Sequence, residues 1–310
     1  MKMCYIVFME KLIKKILNKE NIFFEKIIKS TSGFTNIVYF VDNNYVVKIV
    51  APNTKSEKIK KEISFYKNIK LDYMPKYIAS GNIDGVDYLI IEKIKGESLY
   101  NIWHTLDNQQ RKNITLKIVN ILKEIHKQSY SFLESKYVIN NLKDKMNKSF
   151  DINISILDRK GFDVTYLKTF QQQYLNKIFE EQKIRLVYND GHFDNFLYDG
   201  ENVFIIDFDR VLCTSIDYEL MIIGLMLEDP AKFASYENEK FVKKYDYINI
   251  WLDLQNFYPE MFNFTYIHER LYTYSFIYKL GQAFETNNNE KIKELLFNFE
   301  IFVDDLLIHM

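Results

Sequence analysis

Cysteine is scarce, with Cys4 and Cys213 the two in 310 residues and no metal-ligand spacing between them. That count argues against a disulfide scaffold and fits a reducing cytoplasm. Four prolines and nine glycines leave no Pro- or Gly-rich linker, so any lobes must be joined by a short hinge. A charge excess is also missing. Forty-one basic residues meet 42 acidic ones, for a net charge of -1, which speaks against a nucleic-acid partner. Long apolar runs are absent near the N-terminus, where Cys4 to Met9 is too short for a signal-peptide core or a membrane span. What remains is ordinary: 47% hydrophobic and 27% charged residues, the composition of a globular chain. Its length suits one large domain or two lobes sharing a core.

Residues 10–18 read as a short amphipathic helix. From Phe23 to Ile94 the texture is β, with strands at 23–29, 37–41, 45–50 and 88–91. Asp42-Asn43-Asn44 and Asp84-Gly85 supply turns, and Ser30-Thr31-Ser32-Gly33 a small-residue loop. Thr54-x-x-Glu57 has the form of a capping box for a helix carrying Ile59, Ile63 and Tyr66. Beyond Glu97 the pattern is mainly helical. Asp107-x-x-Gln110 caps a helix with Ile114, Ile118, Ile121, Leu122 and Ile125 on one face. Residues 130–185 are polar with weak periodicity, and a β island follows at 186–207. The expected class is α+β in two lobes, a small β-rich one over 1–95 and a larger helical one over 96–310, with a catalytic β-hairpin in the second.

The β island carries the chemistry. Asp199-Gly200 signals a hairpin between two apolar strands. A loop from Asp199 to Asn202 sets Tyr198 against Val203 and Asn195 against Ile206, whereas a two-residue loop sets Asp207 against His192. Either register gathers Asp190, Asn195 and Asp207 at the open end of the hairpin. Such oxygens suit a hard divalent cation such as Mg²⁺, with a further carboxylate placed to accept a hydroxyl proton. Taken singly, each is an ordinary turn residue. In the small lobe, Val46-Val47-Lys48-Ile49-Val50 sets one lysine inside an apolar strand, where an unpaired ammonium is costly. Glu62 lies three residues after Ile59 and four before Tyr66, so it faces inward and offers an ion-pair partner. A structural salt bridge or a snorkelling edge lysine reads equally well.

Asn189-Asp190-x-His192-x-x-Asn195 followed by Ile206-Asp207-Phe208 resembles the catalytic and metal-binding loops of aminoglycoside phosphotransferases and choline kinases. Ser32-Gly33-Phe34-Thr35-Asn36 is similar to that family's nucleotide-covering hairpin, and Ile91-Glu92-x-Ile94-x-Gly96-Glu97 to its hinge. Glu124-Ile125-His126 matches its helix ending in histidine. The landmarks keep the family's order over about residues 25–225. The resemblance implies a protein-kinase-like fold and transfer of a phosphoryl group from ATP or GTP to a small-molecule hydroxyl, with Mg²⁺. Asp190 is then the base or the group that orients the hydroxyl, Asn195 and Asp207 the metal ligands, and Lys48 the phosphate contact with Glu62 as its partner. Ser32, Gly33, Thr35 and Glu92 face the nucleotide. His192 and Asp209 are supporting, the latter as a further ligand or a helix cap, and Asp217 braces the catalytic loop.

The loop at 30–35 has a single glycine, and Tyr188-Asn189 replaces the His-Gly of many members. A haloacid-dehalogenase-like phosphatase also has a strand ending in Asp-x-Asp, but βα repeats should follow it, and helices follow here. HRD, DFG and APE elements are missing, which excludes an ordinary protein kinase. A pseudokinase would have lost part of the set Lys48, Glu62, Asp190, Asn195 and Asp207. For the acceptor, acids such as Glu219, Glu228, Glu237 and Glu239, with aromatics Tyr218, Tyr236, Trp251 and Tyr266, suggest a cationic amino or sugar alcohol. A choline- or ethanolamine-type acceptor remains the alternative.

Overall fold

The protein is described by a computed structural model covering residues 2–30, 36–50 and 56–309. Helix α1, Lys2–Lys19, extends the expected 10–18 segment back through the short apolar stretch. Met9, Leu12, Ile13, Ile16 and Leu17 recur at helical spacing and pack on the outer face of a sheet. That sheet is antiparallel, in the order β1-β2-β3-β5-β4, built from β1 Ile27–Lys29, β2 Asn36–Val41, β3 Tyr45–Val50, β4 Tyr77–Ile83 and β5 Val86–Glu92. Two of its turns, at Asp42–Asn44 and Asp84–Gly85, are the expected ones, and the loop at 31–35 lies outside the described residues. Asp42 has φ +50°, and its carboxylate accepts the Lys26 amide at 2.7 Å. Asp84 and Gly85 both adopt positive φ, as a tight hairpin between right-twisted strands requires.

Helix α2, Glu57–Asn68, covers the inner face with Ile59, Glu62, Phe65 and Tyr66 buried. Its expected cap, Thr54, lies outside the described residues. Residues 93–96 lead to β6, Glu97–Ser98, which pairs with the catalytic hairpin. A Cβ on Gly96 would stand 3.1 Å from the Tyr198 backbone, so any larger residue here would have to push that strand back by a few tenths of an ångström.

The larger lobe opens with α3, Leu99–Ile102, and α4, Asn108–His126. Asp107 and Gln110 form the full reciprocal capping box of α4. The weakly periodic region resolves into α5, Leu142–Arg159, and α6, Thr165–Phe170, which passes through a π turn into α7, Asn176–Ile178. Strands β7 Ile184–Val187, β8 Phe196–Tyr198, β9 Val203–Ile205 and β10 Leu212–Ser215 follow, β8 pairing with β9 and β7 with β10. After α8, Leu220–Glu228, residues 229–249 run in short 3-10 turns. Then come α9 Ile250–Phe257, α10 Ile267–Glu285 and α11 Asn289–His309.

One hydrophobic core joins α2 and the inner sheet to α3, α4, the hairpin and α9, and a second unites α5, α6, α8, α10 and α11. Among the described residues no helix is long and apolar enough to cross a membrane.

Candidate active site

Lys48 sits in the middle of β3, where β-branched neighbours force its ammonium into the interior. Its Nζ lies 2.7 Å from Glu62 Oε1 on α2 and 3.3 Å from Asp207 Oδ1 beyond β9. Burial alone would lower the Lys48 pKa, but the facing charges of Asp207 and Glu62 outweigh it, so the ammonium is held well above its ordinary range. Glu62 Oε1 also receives the Phe208 amide at 3.4 Å. The ring of Phe208 stacks on Phe65 of α2, centroids 4.1 Å apart and 12° from parallel. Strand, helix and hairpin end thus meet through one buried charge cluster and one ring pair.

The hairpin takes the four-residue-loop register, Tyr198 opposite Val203, with the Asp199 carboxylate accepting the amides of Glu201 and Asn202. Asn195 therefore lies opposite Ile206, whose amide donates to Asn195 O at 3.0 Å. The Asn195 Nδ2 group donates to Asp190 O and Asp190 Oδ2 and contacts His192 Nε2, each at 3.0 Å. With its two N–H groups turned to these acceptors, Asn195 makes no hydrogen bond at Oδ1 among the described residues. Asp207 takes φ +63° and Asn189 φ +58°, left-handed conformations that Asn and Asp tolerate best.

Asp190 is buried, and burial raises its pKa to about 7; Arg210 opposes the rise, while Asp207 and Asp209 add to it. Arg210 Nε lies 3.5 Å from Asp190 Oδ1. In the sequence Arg210 carries a single signal, its place three residues after Asp207. Burial lowers the His192 pKa to about 4, so its ring is neutral and accepts from Asn195.

Three expectations are corrected. Asp217 does not brace the catalytic loop: it is fully buried against Arg270, which approaches at 2.7 and 2.9 Å, with Ser215 and Tyr274 also donating to it. The brace is Glu219, whose carboxylate accepts the Tyr188 amide at 2.6 Å and the Asn189 amide at 3.0 Å and contacts His126 Nε2 at 3.2 Å. Both acids lie in one 3-10 turn, Ile216–Glu219, which sends them to different neighbours. Glu219 is therefore not an acceptor-cleft acid. Asp209 does not cap a helix either, because the chain passes through a turn into β10. It is buried, 3.7 Å from Lys58 Nζ, and burial, with Asp207 beside it, raises its pKa.

The Glu92 carboxylate accepts the Lys76 amide at 3.2 Å, so its side chain is engaged with the start of β4. Ser32, Gly33 and Thr35 lie outside the described residues. Of the other acceptor candidates, Glu228 is held by Lys279, Tyr218 packs on Tyr274 and Trp251 on Phe262, whereas Tyr236 is 92% exposed.

Among the described residues, no group of three or more His, Cys, Asp or Glu side chains is arranged to hold a metal. Asn195 lies opposite Ile206, the residue before the partly exposed Asp207, so the pair offers two candidate oxygen donors. Mg²⁺ is commonly held by one or two protein oxygens and completed by nucleotide phosphates, so this donor set fits it.

The sequence profile of the phosphotransferase enzyme family matches residues 26–241, most of the chain and all of this site. The chain belongs to that family. Solved structures agree on the protein-kinase-like fold of this phosphotransferase. The ADP-bound aminoglycoside phosphotransferase APH(2'')-Ib superposes with a TM-score of 0.68 at 21% identity, over 93% of this chain and 96% of that one. The gentamicin complex of APH(2'')-IIa gives 0.64 at 21%, over 93% and 94%. A choline/ethanolamine kinase family protein from Mesorhizobium loti gives 0.57 at 12%, over 91% and 88%.

Proposed function

We propose that this phosphotransferase moves the γ-phosphoryl group of ATP or GTP to a hydroxyl of a small cationic acceptor, an aminoglycoside-like or other amino or sugar alcohol. The observation that carries this reading is the double cluster: Lys48 bridging Glu62 and Asp207, and Asp190 locked by Asn195 one strand away. The lobe over 1–95 takes the nucleotide, and 96–310 supplies catalysis and the acceptor site. Lys48 holds the phosphates while Glu62 fixes its rotamer. The hydroxyl oxygen bonds to the γ-phosphorus as the bond to the β–γ bridging oxygen breaks. Asp190 takes the hydroxyl proton, and Arg210 beside it offsets charge gathered there. Mg²⁺ held by Asn195 and Asp207 would supply charge neutralisation at the phosphates. Positioning and charge neutralisation are what phosphoryl transfer asks of a protein. Cys213, a buried free thiol, suits a reducing cytoplasm.

Nucleotide consumption with Mg²⁺, for ATP and GTP separately, tests this against kanamycin, gentamicin, streptomycin, choline, ethanolamine and small sugars. One acceptor class is expected to stimulate turnover, and Asp190→Ala to reduce it by about 10²–10⁴-fold with nucleotide binding retained. Stimulation by choline or ethanolamine alone would select the alternative acceptor. Tight nucleotide binding without stimulation by any member supports a pseudokinase, and absence of nucleotide binding overturns the reading.

A further inference from the structure

Helix α2 has a second working face besides the one that carries Glu62. Glu57, Lys61, Ser64 and Phe65 recur at helical spacing, and each meets one of residues 132–137 of the larger lobe. Those residues belong to the connection from α4 to α5, whose regular structure is one 3-10 turn, Ser135–Tyr137. Ser64 Oγ donates to Phe132 O at 3.2 Å. The Phe132 ring meets Phe65 edge-on, centroids 6.0 Å apart, and Phe65 is the ring that stacks on Phe208. Lys61 is buried, with its Nζ 4.4 Å from the centre of the Tyr137 ring. The Lys136 ammonium lies 5.0 Å from the same ring and 3.3 Å from Glu57 Oε1. None of these contacts takes part in the chemistry above. At its far end the connection is fixed to β10. The Ile139 amide donates to Cys213 O at 2.7 Å, and Cys213 stands opposite Leu186 of β7. Strand β7 ends at Val187, just ahead of Asp190.

Resting on the phosphotransferase reading above, we propose that residues 132–139 clamp the two lobes together, with Phe132 and Tyr137 as positioning residues for the nucleotide site. Glu62 reaches Lys48 only while α2 keeps its distance and rotation relative to β3. Its neighbour Lys61 turns to the clamp instead, so the larger lobe sets that rotation. A buried ammonium against a ring face is the stronger form of this contact, because water is excluded from it. The same connection is hydrogen-bonded to the strand beside β7. The Lys48–Glu62 pair and Asp190 thus take their separation from one piece of chain. Loosening the clamp shifts Glu62, and with it the grip of Lys48 on the phosphates.

Three variants of the full-length protein test this: Tyr137→Ala, Tyr137→Phe and Lys61→Ala. Titration with ATP and with GTP, each with Mg²⁺, should show the nucleotide Kd rising about tenfold in both alanine variants. Tyr137→Phe keeps a ring against both ammonium groups and should stay within about twofold of wild type. Hydrogen exchange should quicken at the α2 amides in both alanine variants, with α10 unchanged, and return to the wild-type rate in Tyr137→Phe. With the stimulating member of the acceptor panel, acceptor KM should stay within about twofold while kcat falls. Lys61→Ala places a good helix former in α2, so the test stands even if Tyr137→Ala does not fold. Unchanged α2 exchange or unchanged nucleotide affinity in the folded alanine variants would overturn the proposal. So would a Tyr137→Phe variant as weak as Tyr137→Ala, or an acceptor KM rising in step with the nucleotide Kd. If no nucleotide binds the wild type, the phosphotransferase reading fails, and the exchange measurement still decides the clamp.

Discussion

Glu219 shows how much one side chain sets in this site. Two consecutive backbone amides, those of Tyr188 and Asn189, point at its carboxylate, and the second belongs to a residue in the left-handed region. A carboxylate that accepts from both orients the peptide leading into Asp190. His126, hydrogen-bonded in turn to Tyr258 at 3.0 Å, fixes the other side of Glu219. Glu219→Gln preserves the shape but turns an amide NH₂ toward donors, leaving a buried donor unpaired. It should cost about 2 kcal/mol in urea unfolding and lower kcat more than it weakens nucleotide binding. Unchanged stability and turnover would show that the loop holds its shape unaided. The sequence could not single out this residue. Glu219 and Asp217 are two acids two positions apart, and the turn that separates their directions has no signature of its own. Lys48 and Glu62 were legible because each is a charge in an apolar phase, and a buried charge demands a partner.

At the scale of elements, the segments read correctly are those whose sequence period matches their final environment. Tyr45–Val50 is β-branched on both faces and becomes a central strand between β2 and β5. Helix α4 carries its own start signal, and Asp107→Ala should remove about 1 kcal/mol from the unfolding free energy without affecting turnover. Chemical denaturation checks this, and a change in kcat would mean that α4 transmits strain to His126. By contrast, α6 and α7 were illegible because their continuity runs through a π turn, which shifts the apolar phase part-way along. The 229–249 stretch was illegible too, since its path depends on distant side chains. The hairpin register was left open by its sequence. What decides it is the Asp199 carboxylate, which closes a four-residue loop.

Across the whole molecule, the lobes are joined by more than the hinge. The largest core runs without a break from α2 and the inner sheet into α4 and the hairpin, while α1 and the outer face of the sheet form a separate core. The candidate metal ligands stand at that junction but carry little of the fold, because Asp207 already has Lys48 as a counter-charge. Chelation with EDTA should therefore abolish acceptor-stimulated turnover yet leave the melting temperature of the nucleotide-free protein unchanged. A drop in melting temperature on chelation would instead mark the metal as structural.

The stacked rings of Phe65 and Phe208 carry a further consequence. One belongs to the helix bearing Glu62 and the other follows Asp207 directly, and they lie nearly parallel in a filled interior. Withdrawing either residue alone would open a void against the other ring. The lysine's partner Glu62 and the neighbouring Asp207 thus share one packing unit, so truncating either ring should disturb the placement of both carboxylates.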